Sequence, residues 1–138
     1  MEDNMNTTRR RIFVTETDLA RLGAIVDTEH SPSMDLLEEE LSEATVVKSD
    51  EIPPDIVTMN SRVRFLDLKS GEEMESTLVY PSDANAAQNK ISIAAPIGSA
   101  IFGLSVGDEI EWPVPSGTKR LRITAVVYQP EAAGRYDS

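Results

Sequence analysis

Two adjacent prolines, Pro53 and Pro54, divide this chain into halves whose apolar residues recur at different periods. Neither proline has a backbone N–H to donate, and each holds the residue before it extended, so no helix or central strand runs through this point. Before the prolines, apolar residues recur every three or four positions; after them, they alternate. The first spacing belongs to helices and the second to half-buried strands. The chain is therefore expected to be an α+β protein with its helices first. The expected divisions are a tail over residues 1–14, a helical hairpin over 15–49, a stiff connector over 50–60 and a β-rich domain over 61–138.

The helical half carries its own start signals. Thr15, Glu16, Thr17 and Asp18 offer a capping hydroxyl and acids for the first turn. Leu19, Leu22, Ile25 and Val26 follow at helical spacing. Residues 27–33 break the pattern, and Ser31 before Pro32 predicts a second cap with proline at the first helical position. Leu37, Leu41 and Ala44 then share one face, while Glu38, Glu39, Glu40 and Glu43 lie largely on the other. Two helices of about 14 residues, each about 21 Å long at 1.5 Å per residue, would form a short antiparallel coiled-coil hairpin.

In the β half, strands are predicted over 62–68, 76–80, 90–94, 109–113 and 119–128, in an antiparallel arrangement. Ser70-Gly71, Val106-Gly107-Asp108 and Ser116-Gly117 supply turns. Pro96 opens one short helix that Gly103 closes. Leu121, Ile123 and Ala125 are predicted on one face of the last strand, with Arg120, Arg122 and Thr124 on the other.

Composition narrows the functions. The 138 residues contain no cysteine, which removes disulfides, thiolate metal sites and cysteine nucleophiles and is compatible with a reducing cytoplasm. No stretch approaches the ~20 apolar residues of a membrane span, and no apolar segment follows Arg9–Arg11 as in a signal peptide. The net charge of -11 opposes direct nucleic-acid binding, which depends on clustered Lys and Arg. His30, the single histidine, lies in a Ser/Thr/Pro loop without a ligand set, so no metal is expected. No phosphate loop or nucleophile elbow is present, and no cofactor or catalytic residue is expected.

The segment Ile93–Gly117 resembles the C-terminal domain of the GreA/GreB transcript-cleavage factors. That pattern is a Ser-Pro-aliphatic helix start, a closing glycine, Val-Gly-Asp, an alternating strand and Pro-x-Gly before a final strand. Every element but the serine occurs here in order; Ala95 stands in its place, with Ala94 before it. Met59–Val63, Thr77–Pro81, Ala95-Pro96, Val106–Asp108 and Tyr128–Gly134 extend the resemblance to a narrower branch, the regulators of nucleoside diphosphate kinase. The resemblance implies an FKBP-like C-terminal domain. It implies a non-catalytic regulator that binds RNA polymerase at the secondary channel, competes with Gre factors and affects nucleoside diphosphate kinase levels. It points to Ala94, Ala95, Pro96 and Ile97 for docking on polymerase.

In Gre factors, acids at the tip of a long hairpin help hold Mg²⁺ in the polymerase active site. Here the tip acids are Asp27, Glu29 and Asp35, on an arm about half as long. Such an arm is expected to occupy the channel mouth without delivering a metal ligand. A solvated loop is the simpler account of these three residues. Two other functions remain open on the sequence: direct binding to nucleoside diphosphate kinase, and prolyl isomerase activity of the FKBP type. The second is disfavoured because the few aromatic residues are scattered along the chain.

Overall fold

The computed structural model describes residues 12–27, 31–115 and 117–134. A short strand, β1 (Phe13–Thr15), leads directly into helix α1 (Glu16–Val26). Thr15 ends one and caps the other: its Oγ1 accepts the Asp18 N–H at 3.0 Å. That bond satisfies one of the donors a helix start leaves open. Helix α2 (Pro32–Ser42) begins in the same way, with Ser31 Oγ accepting the Met34 N–H at 3.2 Å. Both helices start at the predicted residues. Strand β2 (Thr45–Val47) then returns beside β1 in parallel, with Phe13 opposite Thr45. Three-residue strands carry no readable period, so the sequence predicts neither.

Three expectations for this half are corrected. The supposed tail over 1–14 already contributes Ile12 and Val14, both fully buried. Each helix has 11 residues rather than 14, a length of about 16 Å. The apolar stripes also do more than face each other. Leu22 and Val26 of α1, with Met34, Leu37 and Leu41 of α2, join the same core as Val57, Met59, Phe65 and Ile101. Helices this short are marginal alone and gain most of their stability from packing on the rest of a fold.

The β half is a five-stranded sheet of order β5-β4-β3-β7-β6. Its strands are β3 (Arg62–Asp67), β4 (Glu73–Val79), β5 (Lys90–Ser92), β6 (Glu109–Val114) and β7 (Gly117–Tyr128). The sheet is mixed, not antiparallel throughout, because β5 runs parallel to β4 with Thr77 opposite Lys90. Between them the chain makes two 3-10 turns, Pro81–Asp83 and Ala86–Gln88, and passes through Asn89 at φ 57°. Two reversals return it in its original direction. The pairing of β3 with β7 has register shifts beside Arg62/Val63 and Arg64/Phe65. These bulges move the inward position after Ile123 from Ala125 to Val126, which packs against the core.

Helix α3 (Pro96–Ile101) packs against both β5 and α2. Gly103, just past its end, has φ +80°, and a Cβ there would stand 2.6 Å from that of Ile12. A side chain at this point would push β1 off the domain.

The connector is part of the core. Ile52, Ile56, Val57, Thr58 and Met59 are all buried. Val57 donates to the Leu104 carbonyl at 2.8 Å and accepts from Gly103 N–H at 2.9 Å. Gln129 Nε2 donates to the carbonyls of Pro53 and Ile56, each at 2.8 Å. The prolines stop regular structure, as predicted, and Gln129 satisfies the carbonyls exposed by that stop.

Candidate partner-binding site

The predicted docking residues occupy the passage from β5 into α3. Ser92 organises it: its Oγ accepts the Ala94 N–H at 2.9 Å, and its carbonyl accepts the Ala95 N–H at 3.0 Å. Ala95 then takes the extended N-cap position, with ψ 148° and no side-chain cap bond. Pro96 is exposed at the first turn, where its missing N–H costs nothing. Ala94 and Ile97 are half-buried and lean on the core. The passage therefore presents one rigid, exposed ring between two small anchors. It offers a partner shape and backbone, but no side-chain hydrogen bond from Ala94 or Ala95.

The tip acids are placed differently. Asp27 is exposed at the C-terminal end of α1, and Asp35 is exposed in the first turn of α2. Asp35 is favourably placed for the helix dipole and Asp27 is not. Glu29 and His30 lie outside the described residues. Among the described residues, no three His, Cys, Asp or Glu side chains gather closely enough to hold a metal ion.

A second polar centre lies where α1 meets the β half. Asp18 is only 1% exposed, and its Oδ2 accepts the Met59 N–H at 3.1 Å. Beside it, Thr58 donates to Glu131 Oε1 at 2.7 Å and is bonded to Ser61 Oγ at 2.8 Å. Burial pushes the Asp18 carboxyl up to about 7, against the Met59 N–H, which favours the charged form; the Glu131 charge raises it further. The Tyr80 hydroxyl is buried beside Asp18 and Arg21, at contacts outside hydrogen-bond geometry. Burial and the Asp18 charge raise Tyr80 to about 12. Next to this centre, Arg21, Ala24 and Ile25 of α1 face Tyr80–Asp83 across a groove of about 580 Å³.

Residues 52–128 match the family model described as "Transcription elongation factor, GreA/GreB, C-term". The chain belongs to the GreA/GreB family. Residues 10–47 of this GreA/GreB member match a second model, "Rnk N-terminus". Over 132 residues it is 39% identical to the regulator of nucleoside diphosphate kinase of Escherichia coli strain K12, covering 93% of this chain and 97% of that one. It is also 39% identical over 90 residues to the transcription elongation factor GreA of Clostridium acetobutylicum, covering 65% of this chain and 57% of that one. Among solved structures it resembles the GreA/GreB elongation factor of Nitrosomonas europaea, with TM-score 0.77 and 50% identity over 87% of this chain and all of that one.

Sequence reasoning named the docking passage and the tip of this GreA/GreB member but missed the centre around Asp18. Asp18 reads locally as a first-turn acid, and its partners are 41 residues away at Met59 and still further on at Glu131. One signal was present: Gln129 and Glu131 stand in a C-terminal run that resembles the family, yet no local structure needs them.

Proposed function

We propose that this chain is a non-catalytic, cytoplasmic transcription regulator that binds RNA polymerase at its secondary channel and competes there with Gre factors. One observation carries the proposal. A GreA/GreB C-terminal domain keeps its exposed α3 start at Pro96, beside a helical pair only about 16 Å long. In this reading the FKBP-like domain grips the channel rim through Ala94, Ala95, Pro96 and Ile97, and the short coiled-coil pair enters the mouth. The acids expected at the tip, Asp27, Glu29 and Asp35, stay at the mouth. They do not reach the active site, so transcript cleavage is not stimulated. The effect on nucleoside diphosphate kinase levels then follows from altered transcription.

The test is binding of the purified protein to core RNA polymerase, with a Gre factor as competitor. Displacement by the Gre factor supports the proposal; no binding at micromolar concentration rejects it. Ala95→Asp combined with Pro96→Arg should weaken binding at least tenfold while the protein remains folded, and unchanged affinity rejects the docking residues. A second reading, direct binding to nucleoside diphosphate kinase, is favoured by the similarity to a relative named for that enzyme. Co-purification of the kinase after polymerase depletion separates the two.

A further inference from the structure

Nothing in the polymerase reading uses Asp18, and the inference drawn from it goes beyond that reading. Groups from its own helix and from three other segments act on its carboxylate. From its own helix comes Arg21, an attractive charge on an exposed side chain. From the end of β4 comes Tyr80, neutral throughout the physiological range. From the C-terminal turn comes Glu131, a like charge held in place by the Thr58 hydroxyl at 2.7 Å. The segment packed directly against Asp18 supplies the Met59 N–H at 3.1 Å, and Thr58 and Met59 add no charge of their own. A buried carboxylate and a second carboxylate thus flank the dipeptide on which α1 rests. A protonated Asp18 still accepts the Met59 N–H and no longer repels Glu131.

We propose that the buried Asp18–Met59 hydrogen bond is a proton-operated latch between the helical pair and the β domain. With a proton on Asp18, the start of α1 is held against residues 58–59. Loss of that proton loosens α1 there while the sheet stays intact.

The direction follows from linkage. The latched carboxyl titrates at about 7, against 3.8 for an exposed aspartate. A raised value means that the closed form binds the proton more tightly than the open one. The hold is therefore complete below about pH 4, weakens progressively above that and reaches its minimum once pH has risen past about 7. Between pH 6 and pH 8 the ratio of closed to open forms falls about tenfold.

Amide hydrogen exchange of the full chain at pH 6, 7 and 8, corrected for intrinsic rates, tests the latch. Protection at Met59 and in the first turns of α1 is expected to fall about tenfold across that range, with Phe65 and Leu121 of the central strands unchanged. Asp18→Asn should flatten the profile. Glu131→Gln should shift the loss to lower pH, because Asp18 then gives up its proton more readily. Equal protection at pH 6 and pH 8 overturns the proposal, and so does a parallel loss in the central strands. If Asp18→Asn does not fold, carbon-detected titration of the wild-type Asp18 carboxyl decides. A midpoint near 7 supports the latch, and one near 4 overturns it.

Discussion

Replacing Gly98 with alanine places a methyl group between α3 and β5. A Cβ built there lies 2.0 Å from the Ser92 carbonyl oxygen, 2.9 Å from the Ser92 carbonyl carbon and 3.2 Å from the Ile93 Cα. All three are backbone atoms, so no rotamer change relieves the overlap. The helix and strand must separate by about 1.5 Å to restore ordinary contact. That movement strips packing from Ile93, Ile101 and Phe102, which are fully buried. Overpacking of this kind costs about 1–3 kcal/mol, and alanine returns about 0.5–1 kcal/mol of helix propensity. Gly98→Ala should therefore destabilise the protein by about 1–2 kcal/mol. Gly23 on α1 is the control, since a Cβ there meets nothing within 4 Å. Gly23→Ala should stabilise by about 0.5–1 kcal/mol. The same substitution in two helices of one protein thus has opposite signs. Urea unfolding with a shared m-value reads both, and a Gly98→Ala midpoint at or above wild type would refute the packing of α3 on β5.

Three further outcomes are expected. Gln129→Ala leaves the Ile56 carbonyl without its donor, while the Pro53 carbonyl keeps the Ile56 N–H at 3.2 Å, and should cost about 1–2 kcal/mol in chemical denaturation. Thr15→Ala should cost about 1 kcal/mol by thermal unfolding, with Thr15→Ser close to wild type because a hydroxyl again reaches the Asp18 N–H. The Asp67 carboxylate is held down at about 2, first by its hydrogen bond from Lys119 and then by the N–H groups of Lys69 and Ser70. Its contribution is complete above about pH 4 and is lost as pH falls toward 2. Acid unfolding followed by circular dichroism should lose that segment of its pH dependence in Asp67→Asn.

What could be read from the sequence was set by local chemistry. Thr15, Ser31 with Pro32, Pro96 and Gly103 each act on neighbours within four residues, and each marks a helix boundary in the structure. The long strands β3 and β7 were equally readable, because six or more residues carry a period. What escaped depends on distant partners. The prolines announced a break but not that Ile56–Met59 would be buried in the core. The alternation in β7 gave no warning of bulges, which arise from pairing with β3. The proposed docking passage was picked out by resemblance, while the Asp18 centre needed three segments brought together by the fold.

The base of the helical pair is joined to the rest of the molecule by Ile12 against Gly103 and by the Asp18–Met59 hydrogen bond, while β1 pairs with β2 across that base. The two helices are therefore not an interchangeable module. Grafting a longer arm at their base would tear open the core, whereas residues lengthening both helices at the distal turn after Val26 would leave every base contact in place. Arm length in a scaffold of this kind can vary at one end only, so the reach of the pair can change without any change in the packing at its base.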